Sequence, residues 1–207
     1  TARAVIGGGG MGNAHLGNLL SRFQAQKDIR VAAVCDVHRA RMEGALKRCL
    51  DAGADTKKYT DFREVLDRDD IDVVYVVTPP HWHALISIAA CQAGKDVYCE
   101  QPMTKFIHEG RAVAEAVERY GRVFHIGTSG RYGHRHFRKL IASGLLGTPV
   151  RVNMTHRKFN FKVKEWSGRT DLMPEPIPPE LDWNMWLGPA PVKPHNTDRW
   201  NGGRFRG

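Results

Sequence analysis

The chain has 207 residues, of which 42% are hydrophobic and 26% charged. That is ordinary for a globular protein, enough to bury a core without disulfide or metal staples, and it excludes disordered, collagen-like and coiled-coil classes; no apolar run approaches the roughly 20 residues of a membrane-spanning helix. The net charge of +9 arises wholly beyond residue 100, since residues 1–100 carry 13 basic and 13 acidic groups; such a surface can attract phosphates or anionic sugars, while neither nucleic acid nor membrane is expected as a partner.

Residues 3–6 read as a short strand running into glycine-rich sequence. Met11, Leu16, Leu19, Leu20 and Phe23 then recur at helical spacing up to about residue 26. A strand is expected over 29–35 and a helix over 38–50. Asp61 can cap a short helix at 62–68, its carboxylate accepting exposed first-turn N–H groups. Residues 72–77 (DVVYVV) are β-branched and apolar, as expected of a central parallel strand covered on both faces. Pro79 and Pro80 interrupt the chain, a helix follows over 81–93, and Gly94 ends it. A strand over 96–99, a helix over 107–120 closed by Gly121, and a strand over 123–126 complete the alternation. That alternation predicts an α/β fold with a parallel sheet. A further helix is expected over 135–143, then a long strand over 149–161. Residues 166–207 are rich in proline, hold four of the five tryptophans and show neither helical nor strand period, so they read as a long loop that covers something.

Residues 1–127 are therefore expected to form one domain and residues 128–207 part of a second. The chain opens at Thr1 without methionine and stops at Gly207 with no closing element, so sequence is expected beyond both ends. Cys35, Cys49, Cys91 and Cys99 have no metal-finger spacing and read as buried reduced thiols; no metal site is expected.

Gly7, Gly9 and Gly12 make a G-x-G-x-x-G pattern between a strand and a helix, the context a dinucleotide fingerprint requires. Gly7 allows the tight turn, Gly9 leaves room for a pyrophosphate, and Gly12 lets the helix pack on the strand. Gly10 and Met11 are also expected at the cofactor, since the first-turn N–H groups of the helix face the phosphates. Asp36, at the end of the next strand, can bind the adenine ribose hydroxyls and would repel a 2′-phosphate, favouring NAD over NADP. Arg39 and Arg41 follow it, and either could instead hold such a phosphate.

Ligands of open α/β sheets bind at the carboxyl ends of strands. Two ends here carry chemistry: Thr78-Pro79-Pro80-His81-Trp82-His83, and Cys99-Glu100-Gln101-Pro102. Proline stiffens the backbone beside Thr78 and Glu100. His83 lies one turn into its helix, where it can point back at a cofactor; capping or packing is the alternative for both histidines.

The GGGGMG turn, Asp36, TPPHWHA at 78–84, AGKDVYCEQPMT at 93–104, the stretch from HIGTSGRYG to SGLLGTPVRV at 125–152 and PPELDWNMWLGPAP at 178–191 occur in the order and spacing of one family. In these features the chain resembles the Gfo/Idh/MocA oxidoreductases. The resemblance implies an N-terminal Rossmann domain followed by an α/β domain with a large, mostly antiparallel sheet. It also implies NAD as cofactor, with NADP less favoured, a carbohydrate or cyclitol substrate, and a homo-oligomer, dimer or tetramer, in the full-length protein. A cytoplasmic location is expected, with export after loss of an N-terminal signal as the alternative.

In that family a lysine normally stands where this chain has Gln101, and it positions or protonates the reacting oxygen. Gln101 occupies this catalytic position with a neutral amide that does not titrate near pH 7. A further catalytic aspartate and histidine of the family lie beyond residue 207. The resemblance places Thr128, Ser129, Arg131 and Tyr132 on the substrate side, and one of Trp166, Trp183, Trp186 and Trp200 is expected to touch ligand.

Three functions fit: an NAD-dependent oxidoreductase of a sugar, cyclitol or glycoside hydroxyl; an NAD-dependent glycoside hydrolase working by oxidation and elimination; and a non-catalytic nucleotide- or sugar-binding homologue.

Overall fold

The computed structural model describes residues 1–128, 135–148, 151 and 172–200. Six strands form one sheet: β1 (Ala2–Ile6), β2 (Arg30–Cys35), β3 (Lys57–Tyr59), β4 (Val73–Val76), β5 (Asp96–Glu100) and β6 (Phe124–Gly127). Their order is β3-β2-β1-β4-β5-β6 and every pairing is parallel. Parallel neighbours need crossovers, and the helices supply them: α1 (Gly10–Gln26), α2 (Arg39–Asp51), α3 (Phe62–Leu66), α4 (Pro80–Gln92) and α5 (Ile107–Tyr120). This strand order is the one that binds dinucleotides where β1 and β4 lie side by side.

Side-chain alternation, shifted once in β2 where the pairing with β1 skips Ala32, divides the core between the two faces of the sheet. Ala4, Ile6, Val74 and Val76 point to the side of Ile86 and Ala90 on α4 and Ala116 on α5. Val5, Val31 and Val34 point to Leu16, Leu19, Ala45 and Cys49 on α1 and α2. Each fully buried valine or isoleucine contributes about 1.5–3 kcal/mol of transfer free energy.

The structure corrects the expected strand over 72–77 in one respect. Val74 and Val76 are fully buried, but Val73 and Tyr75 on the other face are only half-buried. Tyr75 stacks instead on Tyr98 of β5, with centroids 4.8 Å apart. β3 escaped the sequence reading because Lys57-Lys58-Tyr59 has no apolar pattern. It exists through pairing with Ala33, Val34 and Cys35 of β2, and its lysines suit an exposed sheet edge.

Past β6 come α6 (Arg135–Ala142), α7 (Trp183–Leu187) and α8 (Thr197–Trp200). The last two correct the expectation of an unbroken loop, being too short to show a period. Asp182 caps α7 by accepting the Met185 N–H at 2.9 Å. The expected strand over 149–161, and with it the antiparallel sheet, lies outside the described residues apart from Arg151. The segment 172–200 forms a strap with its own small core, in which Leu181, Trp183, Trp186, Leu187 and Trp200 pack against Val37.

Candidate functional site

A cleft of about 480 Å³ opens at the carboxyl ends of β1, β2, β4 and β5, within the range of small-molecule and cofactor sites. The turn from β1 into α1 forms its floor. Gly7 adopts φ +106°, a conformation open chiefly to glycine, and its N–H donates to the Cys35 carbonyl at 2.8 Å. A side chain on Gly12 would overlap the Gly7 carbonyl oxygen, so the helix meets the strand as closely as the fingerprint demands. Above Gly9 and Gly10 the space a Cβ would occupy is empty. No side chain caps α1 and its first turn carries no acid. Its leading N–H groups therefore remain open to an anion, favoured by the helix dipole.

Asp36 lies at the end of β2 against this turn. Its Oδ2 accepts the Gly8 N–H at 2.5 Å and its Oδ1 accepts the His38 N–H at 2.7 Å. Burial raises its pKa above the ordinary carboxylate value, opposed by those two N–H groups and by the nearby charges of Arg41 and His38. The carboxylate thus fastens the glycine turn to β2 and also lines the cleft. Cys35 lines it too, but burial pushes its thiol well above the ordinary range, so it is no nucleophile. Cys99 is likewise pushed up to about 12 by burial.

At the other end stand Thr78, Pro79, His83, Glu100 and Gln101. The Thr78 hydroxyl is buried without a hydrogen-bond partner among the described residues, an unusual state for a buried polar group. His83 is 1% exposed. Its Nδ1 faces the Pro102 carbonyl and its Nε2 the Thr78 carbonyl, both at 2.7 Å. The ring therefore ties the end of β4 to the loop after β5 and has no nitrogen left for a cofactor. His81 bonds the Trp186 carbonyl at 2.8 Å, and burial lowers its pKa, so it is neutral at pH 7.

Of the residues expected at the cofactor, Gly7, Gly9, Gly10, Met11, Asp36, Thr78, Pro79, His83, Glu100 and Gln101 line one cleft. Gly12 lies beneath it as packing. Arg39 is a correction: it is exposed at the start of α2, where its N–H donates to the Glu180 carbonyl. Helical periodicity turns Arg41, two residues on, into the cleft instead. Thr128 does not line the cleft; its N–H donates to the Ile126 carbonyl. Ser129, Arg131 and Tyr132 lie outside the described residues.

Sequence reasoning missed His15. Its Nε2 is 2.7 Å from Glu100 Oε1, and Glu100 Oε2 accepts the Gln101 N–H at 3.1 Å. One signal was available: His15 is three residues after Gly12, on the helix face that meets the sheet. The roof was also illegible. Trp82 Nε1 donates to the Met185 and Trp186 carbonyls at 3.0 and 3.1 Å, so Met185, Trp186 and Trp200 of the strap come to border the cleft. Among the described residues no group of three His, Cys, Asp or Glu side chains could hold a metal, and no helix is long and apolar enough to cross a membrane.

Residues 2–143 match the model of an oxidoreductase family with an NAD-binding Rossmann fold. Residues 132–207 match that of the same family's C-terminal alpha/beta domain. Inositol 2-dehydrogenase of Salmonella typhimurium is 29% identical over 187 residues, covering 88% of this chain and 53% of that protein. Inositol 2-dehydrogenase 3 of Saccharopolyspora erythraea is 30% identical over 188 residues, covering 88% and 52%. The crystal structure of myo-inositol 2-dehydrogenase from Lactobacillus plantarum is 26% identical with a TM-score of 0.63, over 71% of this chain and 42% of that one. Scyllo-inositol dehydrogenase from Lactobacillus casei, solved with NAD(H) and scyllo-inositol, shares the fold at 24% identity and a TM-score of 0.62, over 70% and 42%. The chain spans about half the length of the relatives it matches.

Proposed function

The chain belongs to the Gfo/Idh/MocA oxidoreductase family, and from that premise we propose that it carries the cofactor half of an NAD-dependent oxidoreductase acting on a hydroxyl of a sugar, cyclitol or glycoside. One observation carries the reading: a single cleft joins an uncapped glycine turn, Asp36 at the end of β2 and an orphaned Thr78 hydroxyl, with Gln101 at its rim. These residues fit a dinucleotide. The amides of Gly9, Gly10 and Met11 would hold the pyrophosphate, Asp36 the adenine ribose and Thr78 the nicotinamide end. The inositol dehydrogenases among the relatives support a polyhydroxylated ring as substrate. We place the domain boundary at 127/128, with Thr128, Ser129, Arg131 and Tyr132 on the substrate side. We also infer a homo-oligomer, and a cytoplasmic location from four cysteines that are all free and buried.

When bound, NAD supplies the hydride chemistry. The chain's own part is to bind, orient and exclude water. The strap roofs the cleft, while His83 couples the Thr78 carbonyl to the Pro102 carbonyl and so holds the two strand ends in fixed relation. Glu100, clamped by His15, fixes the Gln101 backbone. The Gln101 amide can donate to or accept from a substrate hydroxyl, but it moves no proton. No lysine lines the cleft among the described residues.

The test uses the full-length protein, a panel of cyclitols, sugars and glycosides, NADH absorbance and product mass spectrometry. Net NADH formation is the expected result. Glycoside cleavage without NADH would replace this reading with oxidation and elimination; no turnover despite NAD binding would leave a binding homologue. Gln101→Lys should raise single-turnover hydride transfer at least about tenfold, since a placed acid or base is worth about 10²–10⁴-fold.

A further inference from the structure

We propose that Trp200 is a cofactor-contacting residue, its indole N–H serving the adenosine half of the dinucleotide beneath the strap; the proposal rests on the dinucleotide reading above.

The strap docks on the residues that directly follow Asp36. The Asp182 N–H donates to the Val37 carbonyl at 3.0 Å and the Arg39 N–H to the Glu180 carbonyl at 2.8 Å, and His38 bridges Leu181. At the end of this strap the Trp200 ring stacks on His38, with centroids 5.2 Å apart and planes at 26°. The Arg41 guanidinium lies 4.7 Å from the Trp200 ring centre. Two side chains flanking Asp36 thus hold the indole in place, and Asp36, Val37, Arg41 and Trp200 border the same end of the cleft.

Trp200 is 8% exposed, yet its Nε1 has no acceptor among the described residues. The neighbouring indoles differ: Trp82 donates to two strap carbonyls and Trp183 to the Lys193 carbonyl at 2.8 Å. A buried indole N–H ordinarily finds a partner, and one left dry is unfavourable. An orphan donor on a residue that borders the cleft, on the same side as Asp36, points to a ligand that brings the acceptor. Adenosine offers both ring nitrogens and ribose oxygens. A sugar at the reacting end would not reach it, because β2 lies two strands from β4, about 10 Å away across the sheet.

The test is calorimetry on full-length protein with NAD, ADP-ribose and nicotinamide mononucleotide. Trp200→Phe keeps most of the packing and removes the N–H. NAD and ADP-ribose should weaken about 3- to 10-fold, the range of one hydrogen bond, with nicotinamide mononucleotide unchanged. Trp200→His, which restores a ring N–H, should recover part of the loss. Unchanged ADP-ribose affinity, or equal weakening of all three ligands, overturns the proposal. If the unsubstituted protein binds no NAD, the dinucleotide reading itself falls and takes this one with it. Should Trp200→Phe not fold, indole N–H resonances of the unsubstituted protein decide, the Trp200 signal being assigned by elimination through Trp→Phe variants at the other four tryptophans. A Trp200 signal that moves with ADP-ribose and not with nicotinamide mononucleotide supports the contact; one that stays put refutes it.

Discussion

His83→Leu isolates what the buried ring contributes. The ring is 1% exposed and joins the Thr78 and Pro102 carbonyls at 2.7 Å each. Leucine fills much of the same space, so the packing term stays small and the loss is mainly the hydrogen bond that an imidazole's single N–H donates to one of the two carbonyls. A carbonyl left dry costs about 1–3 kcal/mol. Pro102 is exposed, so water can reach its oxygen, and the loss, chiefly at the Thr78 carbonyl, should be about 1–3 kcal/mol. For a chain of this size that corresponds to a fall in Tm of roughly 2–12 °C. The variant should also loosen the nicotinamide end selectively, because the tie between β4 and the loop after β5 is cut while Asp36 and the glycine turn are untouched. Affinity for nicotinamide mononucleotide should therefore drop more than affinity for ADP-ribose. Thermal scans and calorimetry with the two half-cofactors provide the measurement. A Tm within about a degree of the parent, or equal losses for both halves, would show that the ring only fills space.

Gly9→Val should abolish NAD binding with little change in Tm, since a Cβ there meets nothing within 4 Å and the side chain enters the space open to the pyrophosphate; retained affinity would place the nucleotide elsewhere. Asp36→Ala should narrow the preference for NAD over NADP by removing the charge that faces a 2′-phosphate, and should also lower Tm, because the Gly8 and His38 N–H groups lose their acceptor. Tighter NADP binding by the unsubstituted protein would mean that Arg41 dominates instead. On the acid side, hydrogen bonds from Arg68 and then Arg30 hold the Asp70 carboxyl well below its ordinary range. Its folded pKa lies below its unfolded one, so its contribution is present above about pH 4 and fades as the pH falls through the folded value. Asp70→Asn should therefore flatten the decline of Tm below about pH 4, and an unchanged slope would show that the exposed triad contributes nothing.

Local rules were enough for the Rossmann half. Period-2 and period-3.6 patterns, Asp61 capping α3 through the Arg63 N–H at 2.9 Å, and glycines closing helices placed nearly every element, because each signal lies within a few neighbouring residues. The G-x-G-x-x-G turn and the two loaded strand ends were legible for the same reason, and parallel topology then brings them together at one edge of the sheet. Only the folded chain decided the rest. β3 forms through pairing with β2, not through its own Lys-Lys-Tyr. The choice of Arg41 over Arg39 depends on how α2 is turned against β2 and the strap. His15 meets Glu100 across 85 positions of sequence, and His81 meets the Trp186 carbonyl across 105. The proline-rich segment carries no period because its shape is set by what it covers: carbonyls of Met185 and Trp186 positioned by Trp82, and a backbone seated on Val37 and Arg39. Short-range spacing can state which residues bear the chemistry, but long-range packing decides which of their atoms are already bonded and which, such as Thr78 Oγ1 and Trp200 Nε1, have no partner among the described residues.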